Sequence, residues 1–391
     1  MLRSLDSGIS GLRAHQTMLD VTANNIANVN TTGFKSSSTQ FEDTLSQMLE
    51  PASGGNTEVG STNPAQVGLG VKVAGIATSF TQGSTDETGN STDMMISGDG
   101  FFTVQSGGQT LYTRAGSFDF DNSGQLVTPD GALVQGWSAV NGAIPSGSSA
   151  LSTVKLPTSS VAPAVATTAA TVTGNLPSDA TAGTVVTENE NVYDSAGATR
   201  NLQLTFTKTA AGWDVAGEDG TGATGATSMT FAAGAETSGS SITVGGVAVD
   251  LSGVTGFAGL STASIATQNG SPSGTLQSYT LDSDGTLMGT YSNGASIPIA
   301  RIALTTFTNP EGLEKVGSSE YSATAASGKV TVGTAGTDGL GTLVGGSLEM
   351  SNVDLTQEFS NLIVAQRGFE ANARIITTSD QILQDLNQMQ H

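Results

Sequence analysis

A chain of 391 residues with 51 glycines, 5% aromatic and 12% charged residues is longer than one ordinary domain and reads as short strands joined by tight turns. Its net charge of −21, from 34 acidic against 13 basic residues, argues against nucleic acid and against an anionic membrane surface as partners. With no cysteine and only two histidines, His15 and His391, it offers no disulfide, thiolate or multi-histidine metal site and no ordinary triad, so no catalytic residue, metal or cofactor is expected.

Both histidines read as solvent-side or incidental. The opening stretch, MLRSLDSGISGLRAHQTMLD, lacks the continuous apolar core of a cleavable secretory signal. No run approaches the roughly 20 apolar residues needed to span a bilayer. The expectation is a cytoplasmic protein, or one exported by a route that reads an uncleaved N-terminus.

The first element is helical. Leu2, Leu5, Ile9, Leu12, Gln16, Leu19, Ala23 and Ile26 alternate spacings of three and four, a coiled-coil-like seam. A helix of about 28 residues would be about 42 Å long. Asn24, Asn25 and Asn28 flank the end of that seam. Their amides supply donors and acceptors without charge, suited to bonding across crowded copies, to fixing register, or to plain capping beside a solvated face. Asn30 suits a left-handed helix terminus, Thr31-Thr32-Gly33 a turn, and Phe34 an anchor for the extended chain that follows.

Residues 52–70, ASGGNTEVGSTNPAQVGLG, read as a loop or extended arm. FDFDNSGQL (118–126) and YTLDSDGTL (279–287) share an Asp-x-x-Gly-x-Leu core, consistent with two similar hairpin turns. Part of the first, DFDNSGQLVTPD (119–130), imitates a calcium loop, but Pro129 and the missing terminal glutamate favour a simple turn. Segment 146–200 is dense in Ser, Thr, Ala, Val and Pro, and boundaries near 148 and 273 would make the middle an insertion in a discontinuous inner domain. Within it, NLQLTFTK alternates and turns through TAAG toward Trp213 and Val215, a hairpin.

The last element is again helical. Leu355, Phe359, Leu362, Gln366, Phe369, Ala373, Ile376, Asp380 and Leu383 repeat the spacing rule, with Asp354 and Gln357 placed for a capping box. Ile375, Ile382 and Leu386 widen its apolar face beyond one seam. The fold class is therefore mixed and mainly β, with terminal helices forming a coiled-coil-like core. One helix pair buries only part of such wide faces, so copies of the chain are expected to supply the rest in a helical tubular polymer.

NNIANVNTTGFK (24–35) resembles the signature of the bacterial flagellar axial proteins, the family of rod, hook and hook-associated subunits. MISGDGFFTV (95–104), where Gly98, Gly100, Phe101 and Phe102 form a turn entering a strand, is similar to a second hallmark. Segments 67–76, 279–294, 299–317 and 348–383 also match, in the family's order. VYDSAGATRNLQLTFTK (192–208) resembles the outer domain of the hook branch, whereas a long 46–66 stretch is similar to the arm of the distal rod branch.

The resemblance implies a helical core domain (1–29 and 353–391), a connecting arm (30–70), an inner β domain (71–147 and 273–352) and an outer β domain (148–272). Leu2, Leu5, Ile9, Leu12, Leu19, Ala23 and Ile26, with Leu355, Phe359, Leu362, Phe369, Ala373, Ile376 and Leu383, would form the polymer core interface. It implies a non-enzymatic subunit of a curved, flexible, torque-transmitting extracellular tube attached to the basal body. Its partners would be itself, the hook cap, the distal rod, the hook–filament junction proteins and the flagellar type III export apparatus. A straight drive shaft is the alternative, and a secreted β-rich adhesin a more remote one.

Overall fold

A computed structural model of the chain describes residues 2–52, 54, 60–140, 142–145, 150–157 and 161–389. Two helices, α1 (Leu2–Ala27) and α2 (Leu355–Gln388), bracket a chain of short strands. The chain divides into two compact units, one of Met1–Leu156, Thr280–Met288 and Pro298–His391, the other of Pro157–Tyr279 and Gly289–Ile297. Among the described residues no helix is long and apolar enough to cross a membrane.

In the first unit, α1 ends where asparagines take over its last bonds. The Asn28 amide donates to the carbonyls of both Asn24 and Asn25, and its side-chain Nδ2 donates to Asn24 O at 2.9 Å. Asn30 does not adopt the left-handed conformation expected of it; Gly33 does, at φ +67°. A Cβ on Gly33 would collide with the backbone of Arg114 and Ala115.

The chain then forms a long hairpin. Strand β1 (Ser37–Asp43) pairs antiparallel with β4 (Val71–Thr78), and β2 (Ser46–Glu50) with β3 (Ala65–Gly68). The hairpin base lies on α1, where Ser10 Oγ accepts from Val71 N at 3.3 Å. Farther out, Leu45, Met48, Leu49, Val67 and Leu69 are all exposed.

Strands β5 (Thr85–Glu87), β6 (Met94–Ser97), β7 (Phe101–Ser106) and β8 (Gln109–Thr113) follow. Adjacent side chains on a strand face opposite ways, which explains the paired phenylalanines of β7. Phe101 joins Phe80, Tyr112, Phe307 and Tyr321 in an aromatic cluster, while Phe102 meets Phe118 edge-on at 5.0 Å. Gly98 and Gly100 carry φ of +110° and +135° in the turn before them.

Asp121–Gln125 and Asp282–Thr286 form the same turn. In each, the aspartate amide donates to the carbonyl four residues on, and the glycine amide donates back to the aspartate carbonyl. Asp121 Oδ1 accepts from the amides of Ser123 and Gln125 at 2.8 and 2.7 Å, so this carboxylate belongs to the turn. Asp194–Ala198 and Asp219–Ala223 repeat the bonding in the other unit.

That second unit packs a five-stranded sheet against a four-stranded one around Leu202, Leu204, Phe206, Trp213 and Val215. The expected hairpin is present, with Phe206 opposite Val215. At Gly217 the sheets approach so closely that a Cβ would overlap Val244. Asp219 is buried: its Oδ1 accepts from Thr221 Oγ1 at 2.6 Å and its Oδ2 from Arg200 Nη1 at 2.8 Å.

Gly217→Val is expected to destabilise this unit by about 1–3 kcal/mol, read as urea unfolding of Trp213 fluorescence in a Trp137→Phe background. The Thr221 hydroxyl foremost, with the Thr221 and Ala223 amides and Arg200, holds the Asp219 carboxyl below its ordinary range in spite of burial. The stability this adds is complete above about pH 4, the ordinary carboxylate range, and is lost as pH falls through the lowered value. Asp219→Asn should therefore flatten the acid limb of the same unfolding transition; an unchanged limb would remove Asp219 from its cause.

Candidate functional site

Helices α1 and α2 run antiparallel. Gly8 faces Ile375 and Ile376, Gly11 faces Asn372, and the ring of His15 lies on Gly368. Beyond these, Asn25 Nδ2 donates to Glu358 Oε1 at 2.9 Å. A Cβ on Gly368 would stand 2.5 Å from the imidazole, so glycine here sets how closely the helices approach. His15 is thus half-buried rather than solvent-side, with Phe41 of the hairpin 6.1 Å from its ring. His391 lies outside the described residues.

The deepest positions between the helices are small or polar: Ala14, Thr22, Asn25, Glu358, Ala365 and Ser379. The leucine-type seams read from the sequence meet this contact only in part, with Ile376 against Gly8. Leu5, Leu12, Leu19 and Ile26 are half-buried, and Ile9 and Ala23 are exposed; the side chain of Leu2 lies outside the described residues. On α2, Leu362, Phe369, Ala373 and Ile376 are half-buried, while Leu355, Phe359 and Leu383 are 39%, 51% and 40% exposed.

At about 100° per residue, the exposed apolar residues of α2 fall on both flanks of its contact with α1. Leu355, Phe359 and Ile363 lie on one side, and Val364, Ile375 and Ile382 on the other. The side chain of Leu386 lies outside the described residues. At its start, Asp354 Oδ1 accepts from the amides of Thr356 and Gln357. The box is not reciprocal, because the Gln357 amide turns outward to Asn361 at 3.1 Å.

Asparagine is concentrated where α1 meets the rest of the unit. Asn25 Oδ1 accepts from Ser37 N at 3.0 Å, and its Nδ2 donates to Ser37 O at 2.8 Å as well as to Glu358. One amide therefore joins α1, the hairpin and α2 within a single chain. Asn28 is spent on the helix end and on Thr31 Oγ1, while Asn24 is exposed.

Just beyond lies a buried charge cluster. Lys35 Nζ donates to Glu349 Oε1 at 2.6 Å and to Thr81 O at 2.7 Å, and both charged side chains are wholly buried. Glu349 Oε1 also accepts from Gly83 N at 2.9 Å, and its backbone carbonyl accepts from Gly33 N at 2.7 Å. Arg114 approaches Glu349 Oε2 at 3.5 Å and donates to Gly98 O at 2.9 Å, with its guanidinium 5.3 Å from the Phe101 ring centre. Burial lowers the Lys35 pKa, opposed by the hydrogen bond and charge of Glu349.

The two sequence hallmarks thus meet. Gly33 and Lys35 of the first bond Glu349, six residues before α2, and Gly98 and Phe101 of the second reach it through Arg114. Lys315 covers the outside, 4.9 Å over the Phe34 ring, donating to Lys35 O and Ser37 Oγ. Asn352 ties Ser36 N to Ser79 O.

Arg114, Lys315, Glu349 and Asn352 carry no periodic signal that singles them out in the sequence. Lys35 was legible only as the last letter of its motif, and Gly8 and Gly11 only as gaps in a leucine pattern.

Three family models match the chain: the Flagella basal body rod protein model over residues 5–35, the Flagellar hook protein FlgE/F/G D1 domain over 95–188, and the Flagellar basal body rod FlgEFG protein C-terminal model over 344–389. The chain is 38% identical to the flagellar hook protein FlgE of Borreliella burgdorferi, with 99% of each chain covered. It belongs to the flagellar hook protein family. It is also 36% identical to the hook protein of Treponema pallidum, with 98% of each covered, and 32% identical to the basal-body rod protein FlgG of Bacillus subtilis, covering 99% of this chain and 98% of that one. The outer two models cover most of α1 and α2, the middle one the strands whose Gly98 turn reaches Arg114.

Removing one member of a buried ion pair costs about 3–5 kcal/mol. Glu349→Gln should lower the stability of the first unit by that amount in urea unfolding at Trp137. The double change Lys35→Met with Glu349→Leu should cost clearly less than the sum of the single changes. Additive losses would show that the two charges do not act as a pair.

Proposed function

We propose that this chain polymerises with copies of itself into a curved, flexible tube whose innermost layer is the α1–α2 pair. Membership of the hook family makes it a structural subunit of the flagellar hook. The finer reading, a universal joint passing motor torque from rod to filament, is supported by how the helix pair divides its surface. Small and polar residues close the pair within one chain, and large apolar residues on both flanks of α2 remain for neighbours. Exposed apolar patches of this kind on one helix mark interaction sites.

In this reading 1–29 and 353–391 form the tube core, 30–70 an arm, 71–147 with 273–352 an inner β layer, and 148–272 an outer one. The cluster at Glu349 would carry torsional load from the core to the inner layer, since it holds the exit of α1 and the approach to α2 at one point. Export through the flagellar type III apparatus with an uncleaved N-terminus, and contacts with cap, distal rod and junction proteins, belong to the same proposal. The exposed strand pair Ser46–Glu50 and Ala65–Gly68 and the likeness to a rod protein keep a straight shaft as the second reading.

Phe359→Ser with Ile363→Ser should leave monomer unfolding within about 1 kcal/mol of the parent, since both residues are half exposed. It should also abolish tubes under salt conditions in which the parent polymerises. Electron microscopy of the two samples decides. Tubes from both would refute the helix-flank interface, and straight parent tubes would favour the shaft.

A further inference from the structure

Between the end of α1 and the inner strands lies a cleft of about 580 Å³, with Asn24 and Asn28 on one wall and Asp130 and Glu320 on the other. Glu320 is 8% exposed and its Oε1 has no hydrogen-bond partner. Burial, aided by the charge of Asp130, raises its pKa above the ordinary value. Lys315, the cation that lines the cleft, is already engaged by Lys35 O, Ser37 Oγ and the Phe34 ring. A buried carboxylate oxygen without a partner is costly, and among the described residues none bonds Glu320 Oε1.

The chain does hold unpaired cations. Arg367 and Arg374 of α2 are exposed and form no ion pair among the described residues. Seven residues apart, they share one stripe on the side of α2 opposite Ala365 and Asn372. The exposed apolar flanks of α2 mark that helix as the surface laid against a neighbour, and the cleft opens beside α1. Guanidinium is weakly hydrated and carries several donors in a fixed fork, which suits a site offering two carboxylates and the amide of Asn24.

We propose that the cleft is an inter-subunit socket in which Glu320 and Asp130 receive an arginine of α2, Arg367 or Arg374, from a second copy of this chain. The inference rests on the self-assembly reading above and adds a specific charged contact to it. Such a contact would be made only in the polymer.

The test is Glu320→Gln in the full chain, read by the critical concentration for polymerisation and by the urea midpoint of the monomer. Losing a charge-assisted hydrogen bond predicts about a tenfold or greater rise in critical concentration, while the monomer midpoint is unchanged or higher. A structural role would lower monomer stability instead. Glu320→Arg combined with Arg367→Glu or with Arg374→Glu should restore assembly for the residue that fills the socket. Parent-like assembly of Glu320→Gln, with the parent forming tubes, overturns the socket and leaves the polymer reading intact. Impaired assembly that neither reversal rescues overturns the arginine assignment.

Discussion

The buried Lys35–Glu349 pair is the contact on which the first unit depends. A lysine and a glutamate at zero exposure are tolerated only when each finds its opposite and its remaining hydrogen-bonding atoms are met. Here Thr81 O and the Gly83 amide complete the set, with Arg114 on the far oxygen. Lys35 and Glu349 themselves lie 314 residues apart in the chain. The pair therefore forms only when the exit of α1, the strands after the hairpin and the approach to α2 are all in place. That makes it a lock on the relation between helices and sheet, more than a source of net stability.

Above the lock, the helix pair separates two tasks by residue size. Gly8, Gly11 and Gly368 make room for Ile376, Asn372 and His15 between the backbones, while most other bulky residues of α2 stand on its flanks. Charge is divided in the same way. Helix α1 carries two arginines and two aspartates, and α2 two arginines and four carboxylates, so most of the net charge of −21 lies on the β portions. Nearly neutral helices can lie close to their copies, while repeated negative charge on the β portions would penalise tight packing there.

Asparagine at the end of α1 shows why one residue type was hard to assign in advance. Three amides within five positions are consistent with capping, with register or with bonding between copies. Asn25 resolves into a bridge inside the chain because Ser37 and Glu358 arrive beside it, and both its donors are then occupied. Asn28 resolves into a cap. The distinction depends on which backbone lies opposite, and spacing along a helix carries no record of that.

The sequence by itself determined the helical ends, the strand-rich middle, the repeated Asp-x-x-Gly turns and the motif-bearing segments, because each rests on local periodicity or local backbone chemistry. It also marked α2 as apolar beyond one seam. Tertiary structure alone decided which face of each helix closes on the other, that His15 lies half-buried on Gly368, that Gly33 rather than Asn30 takes the left-handed turn, and that Glu349 is the meeting point. Those outcomes follow from close approach between distant segments, where the volume of a single Cβ or the partner of a single buried charge excludes every other arrangement.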